Sequence, residues 1–130
     1  MKKIILTVLF VLLFGLISYS MLYNGFTGVK SMTIQTYDES FDEVKPVTDP
    51  EIITTVTGIL NRSNKITHTR YKIAIEPTYK LKLVDQKSEE ILYLHEGFDK
   101  NETLISSDRR EHYYKINQKQ TDKIVQLLSK

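Results

Sequence analysis

A two-layer α+β domain is the fold class this sequence predicts: an antiparallel sheet of four to five strands with two helices packed on one face, preceded by an N-terminal hydrophobic helix. Three observations predict it. Stretches that alternate apolar and polar residues recur at short intervals, the mark of half-buried strands joined by turns. Two other segments repeat apolar residues at helical spacing, one early and one closing the chain. Strands close in sequence pair antiparallel, and helices with a single apolar stripe cover one face of the sheet they form.

The first element is the N-terminal helix. Lys2 and Lys3 precede Ile4 through Ile17, a run that is apolar except for Thr7 and Gly15. A core helix needs a polar face, and this one has none. A positive flank and an apolar stretch of this length fit an export signal, with Ser18-Tyr19-Ser20 offering a cleavage point near Ser20. Counting on to Tyr23 gives about 30 Å of uncharged helix, enough to span a membrane with the N-terminus inside. Residues 1–23 are therefore expected to be a signal peptide or transmembrane anchor, and both alternatives stay open. Residues 24–30, with Gly25 and Gly28, read as a spacer, and residues 31–130 as an extracytoplasmic domain.

Within that domain, Met32, Ile34 and Thr36 alternate with Thr33, Gln35 and Tyr37 as a strand. Asp38 to Pro46 is an acidic loop. Thr48-Asp49-Pro50-Glu51 suits a capping box that opens a helix, with Ile52, Ile53, Val56, Ile59 and Leu60 as its stripe. Asn61 to Asn64 ends it. Tyr71, Ile73 and Ile75 then alternate with Arg70, Lys72 and Ala74, and Pro77 interrupts. Tyr79, Leu81 and Leu83 form the next strand, Asp85 to Ser88 a turn, and Glu90 to His95 the partner strand. Gly97 to Glu102 is read as a polar loop, Thr103 to Ile105 as a short strand and His112 to Ile116 as another. Asn117 caps a last helix with Gln120 at the reciprocal position, and Ile124, Val125, Leu127 and Leu128 bury it.

Composition excludes several function classes. The chain has 130 residues, no Cys and no Trp, with 18 Lys+Arg and 16 Asp+Glu. Taking away Lys2 and Lys3 leaves 16 basic groups against 16 acidic ones, so the domain is neutral and no nucleic-acid partner is expected. Zero Cys rules out disulfides, thiolate metal sites, a Cys nucleophile and a lipid-modified N-terminal Cys. His68, His95 and His112 share no metal-ligand spacing, so no metal site and no cofactor are expected. There is no G-x-S-x-G, no S-x-x-K and no glycine-rich phosphate loop. No enzymatic activity and no catalytic residues are expected.

Charge placement is more informative. Arg70, Lys72, Lys80 and Lys82 stand opposite the apolar residues of their strands, so the outward side of the sheet is basic. Asp38 to Glu51 is acidic, with six carboxylates against Lys45. If Leu92 and Leu94 face the core, Ile91 and Tyr93 lie among the lysines. Aromatics beside cations make a contact surface, so Arg70, Lys72, Lys80, Lys82 and Tyr93 are the candidate partner-binding patch. The plainer alternative is a solvated, edge-protecting lysine face.

The chain also resembles the YhfM-like small exported proteins of Bacillus-type bacteria over residues 31–130. The resemblance is carried by Val47-Thr48-Asp49-Pro50-Glu51-Ile52, by Pro77-Thr78-Tyr79-Lys80-Leu81, by the strand Ile91 to His95, and by Tyr113-Tyr114-Lys115-Ile116. It implies an exported, largely uncharacterised protein and carries over no catalytic residues. Together these readings predict a non-enzymatic binding or accessory domain of the cell envelope. Its expected partners are the membrane, through residues 4–23, and an envelope protein or anionic cell-wall polymer. The alternative is a secreted inhibitor or effector acting on a partner enzyme through a loop at Gly97 to Asp108.

Overall fold

The computed structural model describes residues 1–22, 24–66 and 76–129. Its elements are α1 (Lys2–Leu22), β1 (Ser31–Thr36), a 3-10 turn (Phe41–Glu43), α2 (Pro50–Asn61), β2 (Asn64–Ile66), β3 (Tyr79–Val84), β4 (Glu89–Asp99), β5 (Glu102–Ser107), β6 (Tyr113–Asn117) and α3 (Gln118–Leu128). The strands form one antiparallel sheet in the order β1-β3-β4-β5-β6-β2. The α+β class holds, with six strands among the described residues in place of four to five. The strand expected over Arg70 to Ile75 lies outside the described residues. The added strand, β2, is three residues long, too short for alternation to reveal.

Local chemistry accounts for the element ends. Pro50 has no N–H to leave unpaired, so it sits at the first helical position and makes Asp49 the cap. The Asp49 carboxylate accepts from Glu51 N at 2.9 Å, one residue beyond the expected Thr48 cap. In α3 the capping box is as expected: Asn117 Oδ1 accepts from Gln120 N at 2.8 Å, and Gln120 Oε1 accepts from Asn117 N at 2.9 Å. The segment Gly97 to Glu102 departs from the loop reading. β4 runs through Gly97 to Asp99 with a register shift after Glu96, and the reversal is confined to Lys100 and Asn101. Gly97 takes φ 70°, a conformation nearly free only for glycine, so here the residue marks a bulge. Gly97 to Asp108 is thus a paired hairpin, which corrects the loop expected there.

One sheet face carries Met32, Ile34, Leu81, Leu83, Leu92, Leu94, Ile105, Tyr114 and Ile116, all buried against Ile53, Val56, Ile59 and Leu60 of α2 and Ile124 and Leu128 of α3. Both helices therefore lie on that face. Where α3 meets β5, the buried hydroxyls of Thr121 and Thr103 bond each other at 2.7 Å, so neither is left unsatisfied inside.

α1 stands apart from this core. The large apolar side chains described between Ile4 and Leu16 are 52–69% exposed. Among the described residues no helix is long and apolar enough to cross a membrane. The expected anchor through residues 4–23 is corrected by that finding. With it go the membrane partner, the extracytoplasmic placement, release after cleavage near Ser20 and the envelope partners, all of which rested on that segment.

Residues 24–30, read as a spacer, are held against the domain. Asn24 Nδ2 donates to Leu60 O and Ser63 O, each at 2.9 Å. Buried Asn61 forms two bonds to the backbone of Phe26, accepting from its N–H at 2.7 Å and donating to its carbonyl at 3.0 Å. Phe26 is buried and meets Tyr114 edge-on at 5.4 Å between ring centres.

The β3–β4 turn is closed by Asp85, whose Oδ1 accepts from Lys87 N at 2.7 Å and Ser88 N at 2.6 Å. These backbone donors hold the carboxyl below its ordinary pKa. Because the folded value is the lower one, the stabilisation is complete above the unfolded value of about 4 and is lost as pH falls through the folded value. Asp85→Asn is expected to melt slightly below the parent at pH 7, with the gap closing as the pH is lowered towards 2. Thermal melts across that range check it; a gap that does not change with pH would show that the charge contributes nothing.

Candidate interaction surface

The face opposite the helices carries the residues singled out from charge placement. Residues directly opposite in an antiparallel ladder share a face. Lys80 pairs with Gln35 on one side and Tyr93 on the other, and Lys82 pairs with Thr33 and Ile91. Tyr93 in turn faces Ser106. Leu92 and Leu94 are fully buried in the core, so Ile91 and Tyr93 do stand among the lysines. Lys80, Lys82 and Tyr93 are brought together; Arg70 and Lys72 lie outside the described residues.

Two aromatic residues complete the cluster and were not foreseen. After β1 the chain turns at Thr36 to Glu39, where Glu39 N donates to Thr36 O at 3.1 Å. It crosses the outer face through the 3-10 turn, then returns to the β1 edge, where Met32 and Val47 exchange two backbone bonds of 3.0 and 2.7 Å. The excursion lays the ring of Phe41 beneath two ammonium groups, Lys80 Nζ at 4.8 Å and Lys82 Nζ at 5.7 Å from its centre. Tyr37, 40% exposed, meets Tyr93 edge-on at 6.2 Å. Lys82 also has Glu89 at 3.7 Å, while among the described residues Lys80 has no carboxylate within salt-bridge distance. An aromatic residue inside an acidic loop was the available signal, since such a ring seeks apolar or cationic cover.

The same face changes character toward β5. His95 and Leu104 pair across β4 and β5, and both are buried. His95 Nε2 lies 3.3 Å from Ser106 Oγ. Lys80 and Lys82, both half-buried, stand at the β1-β3-β4 end of the face, while Lys115 of β6, opposite Leu104 on the same face, pairs with Glu102 at 3.0 Å.

A polar cleft of about 350 Å³ lies elsewhere, lined in part by Gly25, Phe26, Asp85, Glu90, Arg109 and Arg110. Its most enclosed cation is already engaged. Arg110 Nε donates to Glu90 Oε2 at 2.7 Å, Nη1 donates to Asn24 O at 2.7 Å, and the guanidinium lies 3.9 Å from the centre of the Phe26 ring. Burial alone would lower the Arg110 pKa, but the Glu90 hydrogen bond and charge, with Tyr114, hold it above the ordinary value. It is a structural cation.

For acid–base chemistry the described residues offer little. Burial first, then the charges of Glu96 and Asp122, push the Tyr79 phenol above its usual pKa, so it remains a protonated donor at neutral pH. Among the described residues no group of three or more His, Cys, Asp or Glu side chains is placed to hold a metal ion.

No family model and no curated protein matches the chain, and neither comparison bears on the YhfM-like resemblance. Among solved structures, the chain is similar to the crystal structure of a thioesterase-like protein from Clostridium sporogenes ATCC 15579. The match has a TM-score of 0.50 at 15% identity and covers 76% of this chain and 93% of that one. At this identity the likeness is one of fold.

Proposed function

We propose that this chain is a non-enzymatic binding domain that captures an anionic partner on the β1-β3-β4 end of its outer sheet face. One observation carries the reading: Lys80, Lys82 and Tyr93 stand in register on neighbouring strands, with Tyr37 packed edge-on against Tyr93. Cations backed by rigid aromatic rings give a contact surface both charge and buried area. The neutral balance beyond Lys3 makes this local field matter more than the total charge.

The test is retention on immobilised polyglutamate at low salt. Reversing Lys80 and Lys82 to Glu is expected to weaken binding about tenfold, which corresponds to about 1.4 kcal/mol. Reversing Lys119 and Lys123, exposed on α3, makes the same change in net charge and should have a much smaller effect. Equal losses for the two pairs would sink the patch.

The fold likeness supports a second reading, hydrolysis of a thioester. Its test is release of free thiol from a set of acyl thioesters by the intact chain. Release above the buffer rate that tracks with the folded protein would replace the binding-domain reading.

A further inference from the structure

We infer that the basic face is made for an acidic peptide bearing an aromatic residue, and that the Asp38–Glu43 loop sits on it as a built-in competitor. This rests on the binding-domain reading and adds the partner's chemistry and a means of control.

The loop has the composition such a partner needs. Its six residues, Asp38-Glu39-Ser40-Phe41-Asp42-Glu43, hold four carboxylates around one aromatic ring. Phe41 places that ring against both lysines of the patch, at 4.8 and 5.7 Å from their nitrogens. Asp38, Glu39 and Asp42 point to solvent, and no carboxylate of the described loop residues lies within salt-bridge distance of Lys80 or Lys82. The loop therefore uses the aromatic half of the interaction and leaves the lysines' charge only weakly answered. A separate peptide, free to place a ring and a carboxylate together, can satisfy both.

The loop is also lightly held. Apart from the turn at Glu39, its described bonds are Gln35 Nε2 to Ser40 O at 3.2 Å, Asp42 N to Ser40 Oγ at 3.1 Å and Val44 N to Phe41 O at 3.2 Å. Exposed bonds of this kind each contribute little, because water competes for the same donors and acceptors. A cation–aromatic contact on a solvated surface adds a similarly small amount. A total of this size is within reach of a modest ligand, so displacement does not require unfolding of the domain. A covering segment lowers apparent affinity by the fraction of open molecules, and removing its grip restores it.

The experiment uses the full chain and a fluorescent peptide copying residues 38–43. Phe41→Ala is expected to bind the peptide about tenfold more tightly than the parent. A peptide with alanine in place of its phenylalanine should bind both proteins weakly. Adding the Lys80→Glu and Lys82→Glu changes to the Phe41→Ala chain should remove the gain. If Phe41→Ala binds the peptide no better than the parent while polyglutamate retention still depends on Lys80 and Lys82, the competitor idea is overturned and the binding face stands. If neither ligand responds to the lysine reversals, both ideas fail. Matching thermal melts for the parent and Phe41→Ala, whose ring is only half-buried on a surface loop, confirm that a folded chain is being compared.

Discussion

Replacing Arg110 with alanine is expected to remove about 3 kcal/mol of stability, the range seen when one partner of a largely desolvated ion pair is deleted. Its Glu90 partner is only 13% exposed at the side chain and would be left with Ser107 Oγ, at 2.6 Å, as its remaining described donor. The carbonyls of Asn24 and Gly25 would lose the donors that now reach them at 2.7 and 3.3 Å. Phe26 would lose the guanidinium over its ring. In a domain of this size the loss corresponds to a fall of roughly 10–20 °C in melting temperature. Deleting Glu90 as well should cost less than the two single losses added together, because the stranded charge is gone. A fall of only a degree or two for Arg110→Ala would show that the pair behaves as a solvated surface bridge.

Asn61→Ala is expected to cost about 3 kcal/mol, through a different mechanism. The Asn61 amide acts as a surrogate peptide group, taking the N–H of Phe26 and giving to its carbonyl. Alanine would leave both backbone groups unpaired beside a residue that is 2% exposed, and each such group costs about 1–3 kcal/mol. Urea denaturation should show a lower midpoint at an unchanged slope. Amide exchange adds a local readout: the Phe26 N–H should lose its protection, and protection that persists would show that another acceptor takes over.

The sequence was most legible where a few neighbouring residues decide the outcome. Asn117 and Gln120 announce the start of α3 because a capping box closes within four residues. Alternation placed Lys80, Lys82 and Tyr93 on a common face, since pleating sends successive side chains to opposite sides. Long-range pairing was not legible. Asn61 bonds Phe26 across 35 positions, and Arg110 reaches Asn24 across 86, so a stretch resembling a spacer is tied down by residues that look unremarkable in their own neighbourhoods. Gly97 misled for a related reason: glycine is suited equally to a loop and to a bulge, and only its partner strand decides between them. Phe41 was passed over because its loop was read for charge alone.

The return of the chain to β1 at Val47 has a consequence for self-association. A sheet's outermost strand ordinarily shows a row of free amide and carbonyl groups that another molecule's strand can zip onto. Here Met32 spends both of its outward groups on Val47, and the Thr36 carbonyl is taken by Glu39. An incoming strand would find that rim already occupied at two of its six residues, with the acidic loop standing in its path. Fibril growth by strand addition along β1 must first peel away a piece of the protein's own chain.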